Sequence, residues 1–539
     1  MAYSSALASS DRQRCLSLRP WLTALCFSLA FAMFAGCGDD EAKPAEETPP
    51  PLGAVDSFVA APCWFGDLSS KTSRQIECGY VTVPQKRGVE GSPLISIAVV
   101  RSKALYAPEQ TKAPIFFLQG GPGAELIGSV PTLVERIPHL FGADRDLIFL
   151  DQRGVGRSWP RLTCRRETAA ECRDRLLREG IDATAFNSVE NAADVDAIRR
   201  AFGYPKMALF GSSYGTLLAQ HVMRDFPSLI ESAILDSVVP LGTNFITEGG
   251  TSESSALRTL LAECARDSLC RAQYPDLEAR FLRTYTNLRE QPLQIALDLD
   301  PKKEGRETRV EIDGDVFASL IFDVLLFTGQ IELIPRTIAT FERRASEGSD
   351  PEFVRDRLAQ VLSFSQGQSD AISDGTYFAV LCAEFGPFSG ADTNLSGAYP
   401  ELADYFRLSP DSIGQSCAEW GLPVLPETQR QTLQSDIPTL LFCGQVDPRT
   451  PTPFCSKVAA GLRNATNVWV PNQAHGVLLS TTCTDDMLRR FLRDPAAPVD
   501  LSCLQGPSFD FPQARLAKPT RSPEAFRPLL RRPESRLFP

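Results

Sequence analysis

Short apolar runs separated by amphipathic segments set the texture of the first half of the chain. Gln75–Val83, Leu94–Val100, Ile115–Leu118, Asp146–Leu150, Met207–Phe210 and Ser232–Leu235 are bounded by polar or turn-forming residues and predict strands. Before the fifth of them, Val189 to Phe202 places Ala192, Val195, Ile198 and Phe202 on one helical face, with Gly203 as the stop. Strand–helix–strand units of this kind predict a mostly parallel sheet. From about Thr251 to Phe364 the pattern turns mainly helical, with apolar faces such as Leu257/Leu260/Leu261/Cys264 and Val316/Leu320/Ile321/Val324. A looser stretch rich in Gly and Ser follows to about Ser435. Strand texture then returns at Pro438–Cys443 and Val468–Val470.

The order is therefore an αβ half (56–240), an inserted cap (241–435) and a closing αβ half (436–505). Residues 506–539 form a tail rich in Pro and Arg, with no nameable chemistry. The N-terminus reads as an address. A basic start runs into the apolar stretch Trp21 to Phe34 and then Phe34-Ala35-Gly36-Cys37. Small residues before a Cys at this point resemble a bacterial lipobox. The resemblance implies a signal peptide at 1–36, lipid attachment at Cys37 and a tether at 37–55. A membrane span and a leader cut elsewhere are the competing readings, and the apolar stretch is short for a span.

Composition changes this picture little, but charge and cysteine add to it. The 539 residues are 43% hydrophobic with a net charge of −11, which argues against nucleic acid as a partner. Of 15 Cys, Cys15 and Cys26 fall in the leader and Cys37 takes the lipid. The others stand as sequence neighbours: Cys63/Cys78, Cys164/Cys172, Cys264/Cys270, Cys382/Cys417, Cys443/Cys455 and Cys483/Cys503. Spacing does not fix connectivity, and neighbour pairing is the simplest choice. An even set in an exported chain predicts disulfides. Metal binding is the rival, against which stand the lack of any Cys-x-x-Cys and the presence of only three His.

The chemistry concentrates at strand ends. Gly211-Ser212-Ser213-Tyr214-Gly215 sits between a predicted strand and a predicted helix, the context that makes Gly-x-Ser-x-Gly a nucleophile elbow. A Ser hydroxyl needs a base. His221 lies eight residues along the helix from Ser213, about 12 Å at 1.5 Å per residue. His139 precedes the nucleophile, against the order Ser, acid, His. That leaves His475, just past the last predicted strand. The acid should follow the preceding strand, where Asp447 stands beyond Thr439–Gly444; Asp236, one strand earlier, is the alternative. Gln119-Gly120-Gly121-Pro122-Gly123 closes another strand and would turn backbone N–H groups toward a substrate carbonyl oxygen.

With Asp151-Gln152-Arg153-Gly154-Val155-Gly156-Arg157-Ser158, the elbow, Cys443–Pro451 and His475, these pieces resemble the proline iminopeptidase and tripeptidyl aminopeptidase family. They span roughly Cys63 to Cys503. Cys264…Cys270, Cys382-Ala383-Glu384 and Cys417-Ala418-Glu419-Trp420 look like the secreted tripeptidyl-type branch. Gln119 stands where proline iminopeptidases usually carry His, and Gly123 is followed by Ala124-Glu125 rather than another Gly.

The resemblance implies an α/β-hydrolase fold with a large, mainly helical cap inserted before the last strands. It also implies acyl transfer by Ser213, His475 and Asp447, with Gly121 and Tyr214 N–H groups as the oxyanion hole. No metal or organic cofactor is implied. The expected activity is release of residues or short peptides from free peptide N-termini. An esterase and a binding protein on a hydrolase scaffold are the alternatives. An aminopeptidase must hold an ammonium group near Ser213. Glu384 is the expected carboxylate, with Glu125 its rival.

Overall fold

The computed structural model describes residues 49–504 except 107–111, 137, 165–166, 299–306, 348–371 and 479, together with 509 and 511. Cys37, the expected signal peptide at 1–36 and nearly all of the Pro/Arg-rich tail lie outside the described residues.

Nine strands form the central sheet: β1 Phe58–Ala61, β2 Ile76–Pro84, β3 Leu94–Ser102, β4 Ile115–Leu118, β5 Leu147–Leu150, β6 Met207–Ser212, β7 Ile230–Asp236, β10 Thr439–Gly444 and β11 Ala465–Val470. Their order is β1-β2-β3-β5-β4-β6-β7-β10-β11. From β5 to β11 every pairing is parallel, and β1 to β3 add an antiparallel edge. All the predicted strands are present. β1 was missed because its four residues carry too little periodicity to register.

Parallel strands must be covered on both faces, and β4, β5, β6 and β10 are buried along their whole length. Helices α1 (Ser188–Ala201) and α2 (Tyr214–Asp225) cover one face through Val195, Ile198, Leu217, Leu218 and Val222, packed on Leu209 and Leu235. The Asn187 side chain caps α1 by accepting from the Glu190 N–H. The opposite face is closed by a second core around Phe117, Phe149, Phe210, Ile234 and Phe442.

The cap carries α3 Gly249–Arg266, α4 Leu277–Glu290, α5 Gly314–Leu325, α6 Ile334–Glu347, α7 Asp374–Phe385 and α8 Ala403–Trp420. The stretch expected to be loose therefore holds two long helices. The region expected to be helical also contains a hairpin, β8 Leu293–Asp298 with β9 Glu307–Ile312. The cap has its own core around Leu257, Leu260, Phe281, Phe317 and Tyr399. That core also takes in Val446 and Ala474, from the two turns at the end of the sheet.

All six neighbour disulfides are formed. Cys443–Cys455 closes the segment that holds Asp447, and Cys382–Cys417 ties α7 to α8.

Candidate active site

Ser213 stands at the junction of β6 and α2 with φ 53° and ψ −125°, a conformation rare for a residue with a side chain. Strain of this kind costs about 1–3 kcal/mol and persists where the surroundings force it. Two glycines do the forcing. A Cβ on Gly215 would lie 1.9 Å from the Leu118 carbonyl oxygen, so only glycine lets α2 start against the end of β4. A Cβ on Gly120 would lie 2.8 Å from the Ser213 Cβ, so the Gly-Gly turn runs directly past the nucleophile. Gly121 follows in that turn, and Tyr214 is the first residue of α2. Its N–H has no acceptor within the helix, and the helix N-terminus favours negative charge there.

The turn is braced from two sides. The Ser373 N–H, just before α7, donates to the Gly123 carbonyl at 2.8 Å. Asp151 is buried and accepts N–H bonds from Leu126, Ile127 and Arg157 at 2.7, 3.0 and 2.8 Å. Burial pushes its carboxyl up to about 6 in spite of those bonds. Arg153 is fully buried, with its guanidinium forked on Asp194 at 2.7 Å. The Asp151–Ser158 motif is thus scaffolding for the Gly120–Gly123 turn and the residues that follow it.

Asp447 and His475 meet as expected. His475 Nδ1 lies 2.8 Å from Asp447 Oδ2, leaving Nε2 for other work. Asp447 also accepts from the Arg449 and Thr450 N–H groups at 2.8 and 2.9 Å and from the Thr450 hydroxyl at 2.5 Å. Burial opposes its charge. The neighbouring imidazole and these donors prevail and hold its carboxyl down to about 2. Burial likewise opposes a charged His475, but the Asp447 carboxylate outweighs it and raises the imidazole above its usual 6.5.

Asp236, the alternative acid, makes no hydrogen bond to the His475 ring. Its carboxylate accepts from the Val477 N–H at 2.9 Å and the Leu478 N–H at 3.0 Å. The Gly476 N–H donates to the Ser237 hydroxyl at 2.8 Å, and the Ser213 N–H donates to the Asp236 carbonyl at 2.9 Å. The end of β7 thus holds the turn of His475 and the backbone of Ser213 at once. Burial pushes the Asp236 carboxyl up to about 6.

Glu384 requires a correction. Its side chain is wholly buried on α7, with Oε1 3.1 Å from Nε2 of His221, the histidine farther along α2. A carboxylate shut between two helices offers no surface to a ligand's ammonium group. Glu125 is partly exposed and lies beside Gly128 and Gly156 next to the oxyanion turn.

The sequence reading passed over Thr450, the anchoring role of Asp236 and the contact of Gly120 with Ser213. For Thr450 a signal existed: a hydroxyl residue three positions after an acid favours a local turn onto the carboxylate.

A nucleophile elbow at the carboxyl end of a parallel sheet, with a carboxylate–imidazole pair on the next strand ends, defines an α/β hydrolase. The alpha/beta hydrolase fold family matches residues 113–294, and the family described as TAP-like protein matches 405–503. The chain thus has the α/β-hydrolase fold and is similar to the TAP-like family over its closing part. It is 26% identical over 478 residues to YuaR of Escherichia coli, covering 82% of this chain and 90% of that one. It is 22% identical over 480 residues to the serine protease Hip1 of Mycobacterium tuberculosis, covering 81% and 89%. With the tripeptidyl aminopeptidase of Streptomyces lividans it shares 26% identity over 193 residues, 31% of this chain and 36% of that one.

Proposed function

We propose that the protein is an exported serine peptidase that releases residues or short peptides from free N-termini, with Ser213 as nucleophile, His475 as base and Asp447 as acid. His475 Nε2 takes the Ser213 proton as Oγ attacks the substrate carbonyl. The oxyanion is held by the Gly121 and Tyr214 N–H groups. Collapse breaks the C–N bond, the imidazolium gives its proton to the leaving amine, and water then hydrolyses the acyl-enzyme.

The observation that carries this reading is the double bond-set of Asp236, which ties the Ser213 backbone and the His475 turn to one strand end. The relatives named serine protease and tripeptidyl aminopeptidase favour peptides over esters. Six disulfides fit export, and lipid attachment at Cys37 would keep the enzyme at a membrane surface. Intact mass of membrane-extracted protein tests that anchor. Of the two acids considered for the ammonium group, Glu125 is the one with an exposed surface.

The test compares free-amine and N-acetylated forms of one peptide-coumarin substrate on wild type and Glu125→Gln. Acetylation is expected to cost wild type at least about 100-fold in kcat/KM, the equivalent of a lost charged hydrogen bond, and the variant to lose most of that discrimination. Equal cleavage of both forms by wild type would overturn the aminopeptidase reading in favour of an endopeptidase or esterase.

A further inference from the structure

A charged cluster outside the three proposed catalytic residues joins their turns to the cap. Arg449 lies two positions beyond Asp447, and its backbone N–H donates to Asp447 Oδ1 at 2.8 Å. Its guanidinium leaves the core. Nη1 pairs with the Glu253 carboxylate of α3, and Nη2 lies 3.6 Å from Asp323 of α5. Glu253 is buried, and burial together with the Asp323 charge pushes it up to about 7 in spite of the guanidinium. A second tie runs in parallel. The Ala474 N–H, next to His475, donates to the Thr328 hydroxyl just after α5 at 3.0 Å. Val446 and Ala474 are themselves buried in the cap's core. The cap therefore grips both the acid turn and the base turn.

We propose that Arg449 is a positioning residue through which Glu253 and Asp323 of the cap hold the Asp447 turn and set a cation beside the Asp447–His475 pair. This rests on the reading of His475 as base. The charged groups acting on that ring are Asp447 from the acid turn, Asp236 from the end of β7, and Arg449. The two carboxylates favour the imidazolium, and Arg449 opposes it. Glu253 and Asp323 offset part of the Arg449 charge. The cap thus acts on the base through the guanidinium without touching it. A cation near a general base makes the neutral, proton-accepting imidazole available at lower pH.

Opposite electrostatic signs give the test. Arg449→Met keeps the aliphatic stem and removes the charge. Glu253→Gln keeps the shape and leaves the Arg449 charge less neutralised. The pH dependence of kcat/KM is measured for the full chain on one peptide substrate, with fluorophosphonate labelling of Ser213 on the same preparations. In Arg449→Met the acid limb is expected to move up by about half to one pH unit, in Glu253→Gln down by a smaller amount. Both are expected to lose about tenfold in kcat with less change in KM, because the turn is looser. Arg449→Lys keeps the charge and is expected to return the limb toward wild type. It also keeps the test open should the Met variant fail to fold. Loss of activity with the limb unmoved, or movement of both limbs in one direction, would overturn the proposal and leave only a brace. Wild-type labelling at a residue other than Ser213 would instead overturn the catalytic reading beneath it.

Discussion

Among the described residues two buried carboxylate–imidazole pairs occur, and they differ in what the ring has free beside its acid. In one, Asp447 engages His475 through Nδ1, on a turn past the last strand. In the other, Glu384 faces His221 Nε2 between α7 and α2, and the Arg224 guanidinium approaches His221 Nδ1 at 2.6 Å. A guanidinium only donates, so Nδ1 of His221 accepts from Arg224. Nδ1 is therefore taken, and Nε2 is shut against the buried Glu384 without an aligned hydrogen bond. Proximity of an acid to a histidine is thus no mark of a base. A lone pair left over at the sheet edge is. The carboxylates differ in the same sense: Asp447 collects four donors, whereas neither oxygen of Glu384 has a well-aligned hydrogen bond among the described residues.

The widest separation should come from deleting each imidazole. His475→Ala is expected to lower kcat by on the order of 10⁴-fold or more, with labelling of Ser213 nearly lost. His221→Ala should leave kcat within about threefold while costing about 2–4 kcal/mol of stability, because it opens a cavity and leaves the buried Glu384 side chain without its imidazole neighbour. Steady-state rates on one substrate and urea midpoints measure the two effects. A large kcat loss in His221→Ala would erase the distinction drawn here.

An intermediate effect should come from Thr450, which exists in one pair and has no counterpart in the other. Its hydroxyl donates to Asp447 Oδ2 and lies 3.3 Å from His475 Nδ1. Thr450→Val removes that donor at constant shape. The expected loss is about tenfold in kcat, with KM nearly unchanged, since the carboxylate keeps its two N–H donors. An unchanged kcat would mean that those backbone donors suffice to aim the acid.

These pairs also show what a sequence makes legible. The elbow was readable because its constraint is local: strand, glycines and helix fall within a few residues of Ser213. Asp447 and His475 were readable because strand order limits where they stand. The roles of Asp236 and Arg449 were not, because their partners Val477 and Glu253 are 241 and 196 residues away. Glu384 was visible as an acid beside Cys382, but the side of α7 it occupies is decided by packing against α2. The same holds in the cap. The alternation of Glu307, Arg309 and Glu311 around Val310 was lost among helical neighbours, and Pro410 inside α8 reads as a break that tertiary packing overrides.

The smallest effect is a difference of sign, and it ties stability to the state of the base. His475 has a folded pKa above its usual 6.5, so its charged form is favoured in the native protein. The stability this contributes is fully present below pH 6.5 and is lost as pH rises through the folded value. Asp447 runs the other way. Held at about 2, it contributes above the ordinary carboxylate value of 3.8 and loses that contribution as pH falls toward 2. Between pH 4 and 6.5 the pair is therefore an imidazolium–carboxylate pair at its most stabilising, and the base is then protonated and idle. Activity should rise with pH above 6.5, as the stabilisation fades. The measurement is the melting temperature of wild type minus that of His475→Ala at pH 5.5 and pH 8.5, beside the pH profile of kcat/KM. Asp151 and Glu253 titrate in both proteins and largely cancel in the difference, whereas Asp236 is coupled to the ring and belongs to the effect measured. The difference is expected to shrink toward pH 8.5 as kcat/KM climbs. A wild-type advantage that grows with pH would place the proton on the wrong side of the Asp447–His475 pair.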